Sequence, residues 1–120
     1  MPYKITHIKD ANYLDVHYSG ADSLAVRIRI KDEIEKQCAE SNIVHVLVDT
    51  RDSDRQMDQD DFSNFAKSFE SSDFYCTVTL AVVVPKIDVL NKGLEAAMGL
   101  MGVNKKIFTD KDEALAWLLQ

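Results

Sequence analysis

The densest run of chemistry-bearing side chains is the segment 49–61, which holds six aspartates and two arginines and carries a net charge of −4. Asp49 closes the apolar run Ile43-Val44-His45-Val46-Leu47-Val48, so its carboxylate is expected at the end of a buried strand. Thr50, Arg51 and Asp52 follow directly, and Asp58 lies a short way beyond. Crowded carboxylates repel one another unless a positive charge sits among them. The pattern therefore fits a cation or a basic partner held by Asp49 and Asp52, with Arg51 as an anchor for an anionic group. Lys86, in the loop Pro85-Lys86-Ile87-Asp88 after the next apolar run, is expected on the same rim. The carboxyl ends of parallel strands are where open α/β sheets place ligands. The plainer alternative is a solvated loop leading into a helix, whose positive N-terminal end Asp58, Asp60 and Asp61 would offset.

Several sharper chemistries fail on spacing. No aspartate in the segment is followed by the glycine and glutamate that an EF-hand calcium loop needs. A phosphoaspartate site at Asp49 with Lys86 would need an acidic pair after an earlier parallel strand, and none precedes it. His7, His17 and His45 show neither HxH nor HxxxH spacing, so metal or triad roles are not expected. His45 reads as a hydrogen-bonded core or interface residue. Cys76 lacks an adjacent base, and Ser19-Gly20 and Ser71-Ser72 lack a nucleophile elbow. With four glycines and no GxGxxG or P-loop, the usual nucleotide cradles are excluded, and no cofactor is expected.

The chain that must position these residues has 120 amino acids, enough for one domain with a single core. Its net charge of −6 argues against nucleic acid, which needs a basic face to displace counterions. The longest apolar run, Leu80-Ala81-Val82-Val83-Val84, is too short to span a bilayer, and Met1-Pro2-Tyr3-Lys4-Ile5-Thr6-His7 does not read as a leader. A cytoplasmic location follows as an expectation. Cys38 and Cys76 lie far apart beside apolar segments and read as buried free thiols.

Periodicity supplies the elements. Strands are predicted at 5–9 and 13–18, joined by Asp10-Ala11-Asn12 as a hairpin. Asp22 or Ser23 caps a helix running to about Asn42, with Val26, Ile30, Ile34 and Cys38 recurring on one face. The run 43–49 is β-branched and apolar, as a strand covered on both faces should be. Asp58 caps a second helix with the stripe Phe62, Phe65, Ala66 and Phe69. A buried strand at 77–84 leads to a third helix capped by Asp88, carrying Leu90, Leu94, Ala97, Met98 and Met101 and ended by Gly102. Leu100 and Met101 read as core, or alternatively as the lining of an apolar pocket or subunit contact. A last strand at 105–108 runs into a helix capped by Thr109 or Asp110, with a capping box expected from Asp112 or Glu113. The order ββαβαβαβα implies a mostly parallel five-stranded sheet with an antiparallel N-terminal edge strand and helices packed on it.

Three stretches carry a resemblance: Val44-His45-Val46-Leu47-Val48-Asp49, Leu80-Ala81-Val82-Val83-Val84, and Ile107-Phe108-Thr109-Asp110 with Ala114-Leu115-Ala116-Trp117-Leu118. With this order of elements, the chain resembles the SpoIIAA-like group of the STAS/SEC14 superfamily. The resemblance implies a small α/β fold with Trp117 closing the core, and a regulatory module that acts by binding. It also implies a phosphorylatable serine where the second helix begins, yet Met57-Asp58-Gln59-Asp60-Asp61 stands there without one. The expected protein is a non-enzymatic module. It would bind a protein partner or small ligand through Asp49, Thr50, Arg51, Asp52, Asp58 and Lys86. The alternative is a small carrier of an apolar or lipid-like ligand, held between the second and third helices and the sheet. Homodimerisation through the hairpin edge or the third helix is open.

Overall fold

The computed structural model describes residues 2–120; Met1, first residue of the segment read as carrying no leader, lies outside the described residues. Strands β1 (Tyr3–Ile8) and β2 (Tyr13–Tyr18) pair antiparallel, Tyr3 opposite Tyr18 and Ile8 opposite Tyr13. The turn between them places Asn12 at φ 53, a left-handed conformation that asparagine tolerates. β2 then pairs parallel with β4 (His45–Asp49), β4 with β6 (Thr79–Val83), and β6 with β7 (Asn104–Phe108).

Each new strand is added on the same side of the last, giving the sheet order β1-β2-β4-β6-β7. Right-handed crossovers in one direction force every connecting helix onto one face. That face carries α1 (Leu24–Ser41), α2 (Gln59–Lys67) and α3 (Val89–Leu100), and it holds the larger core cluster. The opposite face is left to α4 (Lys111–Leu118), which packs on β4, β6 and β7. There Leu47, Ala81, Val83, Phe108, Ala114 and Leu118 form the smaller cluster, with Trp117 partly buried against it. The Phe108 and Trp117 ring centroids lie 5.7 Å apart.

The helix starts follow their side chains. Ser23 accepts from the Val26 N–H, Asp58 forms a reciprocal capping box with Asp61, and Asp88 accepts from the Asn91 N–H. At α4 the capping box expected three residues on does not form. Asp110 instead accepts from the Asp112 N–H at 3.1 Å, only two residues ahead. Gly102, at φ +89, ends α3 in a conformation that L side chains rarely adopt.

Five local expectations are corrected. Cys76 is exposed, because it sits in a 3₁₀ turn (Phe74–Cys76) before β6; only Cys38 is buried. Val44 is 48% exposed, since the covered strand begins one residue later. His45 is half-buried and makes no side-chain hydrogen bond among the described residues. The loop after β4 contains a strand of its own. There β5 (Asp54–Arg55) pairs parallel with β3 (Ala21–Asp22), a ribbon too short for periodicity to reveal. Val89 and Leu100 on α3 are 85% and 91% exposed, so Leu100 is not part of the core. Among the described residues, no helix is long and apolar enough to cross a membrane.

Candidate functional site

Two regions concentrate polar groups: a rim at the carboxyl ends of the strands, and a cavity between the sheet and the three crossover helices. At the rim, Asp49 is buried and receives Arg51 in a fork. Its Oδ1 accepts from Arg51 Nε at 3.0 Å and its Oδ2 from Arg51 Nη2 at 2.9 Å. The Arg51 backbone N–H adds a third bond to Oδ1 at 3.1 Å. Burial pushes the Asp49 pKa up, but these bonds and the Arg51 charge outweigh it and hold the carboxyl below its ordinary value. Parallel register sets His17 beside Asp49, and His17 Nε2 lies 3.0 Å from Asp52 Oδ2.

Thr50 is buried, and both its N–H and its hydroxyl donate to the Val83 carbonyl, at 2.8 and 3.0 Å. These bonds extend the β4–β6 ladder past its last pair. Asp58 is exposed and spent as the cap of α2. The two predicted segments do meet, through Arg55 Nη2 and Asp88 Oδ2 at 2.9 Å. Lys86 is exposed and forms no ion pair among the described residues. The structure thus brings Asp49, Thr50, Arg51 and Asp52 together, with Asp58 and Lys86 set apart. Among the described residues, no group of three or more His, Cys, Asp or Glu side chains could hold a metal ion.

The cavity has a volume of about 50 Å³ and lies among α1, α2, α3 and the inner faces of the strands. Its walls are largely apolar, with Ile30, Val48, Phe65, Leu80, Val82 and Met98 among them. Thr50 is the one predicted site residue that lines it. The other polar contributors, Tyr18, Arg27, Lys31, Tyr75 and Lys105, were not among the expected site residues.

Arg27 is buried and forked by Asp22, with Nε to Oδ1 and Nη2 to Oδ2 both at 2.8 Å. Its guanidinium also lies over the rings of Phe62 and Phe65, 5.1 and 5.5 Å from their centroids. Lys31 lies over Phe69 and Tyr75, at 5.1 and 5.9 Å. Burial pushes the Tyr18 and Tyr75 phenols well above their ordinary range. Lys105 is different, for its Nζ has Met98 Sδ at 3.6 Å as its hydrogen-bond partner, and a thioether is a weak acceptor. Desolvation pushes the Lys105 pKa down to about 7.

A signal for Lys105 existed. Register puts Leu80 opposite Lys105 and Val82 opposite Ile107, so Lys105 shares the inward face of β7. Arg27 falls in line with the buried α1 residues Ile30, Ile34 and Cys38, one place from the Val26 that the i+4 rule selects. Of the two candidate caps of α1, Ser23 fills that place and Asp22 is instead the buried partner of Arg27.

No family model and no curated protein matches the chain. Among solved structures, it is similar to an uncharacterised protein of the DUF3478 family from Shewanella loihica PV-4, described as having a SpoIIAA-like fold. The TM-score is 0.58 at 18% identity, over 97% of this chain and 91% of the other. A five-stranded sheet with an antiparallel first pair and four helices packed on it is consistent with that fold. By its fold, this chain is a SpoIIAA-like domain.

Proposed function

We propose that the domain is a non-enzymatic binding module whose small ligand seats in the interior cavity, while the acidic rim keeps the strand ends in register. One observation carries this reading: at the rim Asp49 is forked by Arg51 and Asp52 lies against His17, whereas the cavity wall contains an ammonium whose bonded partner is a thioether. Buried polar groups are normally well satisfied, and here the half-buried Lys105 ammonium finds only a weak acceptor. The carrier alternative gains support from the cavity, in a smaller form. Its 50 Å³ is about a third of the ~150 Å³ cavity that accepts benzene, so in this arrangement it suits a few heavy atoms and not an acyl chain.

Native mass spectrometry of protein isolated without denaturation tests the reading. A small adduct is expected on the wild type and on a rim variant combining D49N, R51Q and D52N. It should be absent from Val82→Phe, which fills the cavity. An adduct lost only in the rim variant, or no adduct on any form, would overturn the proposal.

A further inference from the structure

The cavity wall reverses the charge of the chain that builds it. Overall the protein carries −6, yet three cationic side chains and no carboxylate line the cavity. The three cations differ in what already answers them. Arg27 is matched by Asp22 in a two-bond fork. Lys31 rests on two aromatic faces, with its ammonium 4.0 Å from Asp32. Lys105 meets a sulfur. The carboxylate facing it from α3, Glu95, is engaged elsewhere, its Oε2 accepting the Ile107 N–H at 2.7 Å.

Resting on the cavity as the ligand seat, we infer that its occupant is a short aliphatic carboxylate, with the anionic head on the Lys105 ammonium and the hydrocarbon tail against Val48, Leu80, Val82 and Met98. An ammonium is a compact point charge that a single carboxylate can neutralise. A phosphate dianion would need several convergent donors, and these walls are largely apolar. A neutral apolar molecule would leave Lys105 as it is, half-buried beside a thioether. The volume sets the length at a few heavy atoms.

Titration supports the same assignment. Desolvation and, less strongly, the Arg27 charge from α1 bring the Lys105 pKa down to about 7, against the opposing pull of Glu95 from α3. The other polar groups of the wall are Lys31 from α1, Tyr18 from β2, Thr50 and Tyr75, with Asp22 behind Arg27. A bound carboxylate favours the protonated amine, so binding takes up a proton above pH 7. Affinity should then fall by up to about tenfold per pH unit in that range.

Propionate and its neutral isostere propionamide, titrated into the full chain with NMR detection at the Met98 methyl, separate the possibilities. Propionate is expected to shift Met98 and to bind at least tenfold more tightly than propionamide at pH 6. That preference should disappear in Lys105→Met, whose folding circular dichroism verifies, and shrink in the wild type between pH 7 and 9. Equal affinity for the two probes at Met98 would overturn the carboxylate assignment and leave the cavity reading standing. Unchanged propionate affinity in Lys105→Met would do the same. No perturbation of Met98 by either probe would overturn both.

Discussion

The rim and the cavity are opposites in charge and in how that charge is resolved. At the rim, carboxylates dominate, and those the fold brings together have partners: Asp49 meets the Arg51 guanidinium, Asp88 meets that of Arg55, and Asp52 meets the His17 imidazole. In the cavity, cations line a largely apolar wall, and one of them has no carboxylate bonded to it. Ionisable groups near water are cheap to place and simple to pair, so a dense acidic loop says little about binding. A buried amine costs stability unless something answers it. The contrast teaches that unfinished interactions are a better pointer to a ligand than charge density.

The contrast can be broken most severely at the cavity wall. Asp22→Ala leaves Arg27 buried without its counter-charge, and urea unfolding should show a loss of about 3–5 kcal/mol. Replacing both partners with apolar residues should recover most of it, since the cost lies in the unanswered charge. Lys105→Met should have the opposite sign. Because the folded-state pKa lies below the unfolded value, the unfolded chain holds more protons between about pH 7 and 10.4. Lys105 therefore costs stability most at or below pH 7, and that cost fades as pH rises through this window. The variant should gain on the order of 3 kcal/mol at pH 6 and little at pH 10.5 by the same measurement.

Changes at the rim should be smaller. Asp49→Asn should lose about 1 kcal/mol at pH 7, the fork being discounted because the Arg51 side chain is 39% exposed. The Asp49 carboxyl is held low in the folded state, so its contribution is present above the unfolded pKa of about 3.9 and lost as pH falls through the folded value. Wild type and variant should converge in acid. His17→Ala should be smallest of all, within about 0.5 kcal/mol, because Asp52 is 68% exposed and water can replace the imidazole.

Most of the architecture was legible in the sequence, because local rules govern it. The hairpin turn at Asn12, the caps at Ser23, Asp58 and Asp88, and the aromatic stripe of α2 each follow from a few adjacent residues. The β3–β5 ribbon was not legible, since two-residue strands have no period. The candidate site divides the same way. A cluster of aspartates is visible in any reading, but whether Arg51 curls back onto Asp49 depends on a turn of two residues. The Lys105–Met98 approach joins a strand to a helix and depends on register across the sheet. Alternation along β7 puts Lys105 and Lys106 on opposite faces of the sheet, and only the register shows which of them the crossover helices cover.

The central claim is that the unanswered charge lies in the cavity and not at the rim. Heteronuclear NMR titration of the lysine side chains in the ligand-free chain tests it most directly. Lys105 should titrate near pH 7, well below the ordinary lysine value of about 10.4. A Lys105 midpoint close to that ordinary value would show its ammonium to be solvated or paired, and the cavity would then hold no unanswered charge.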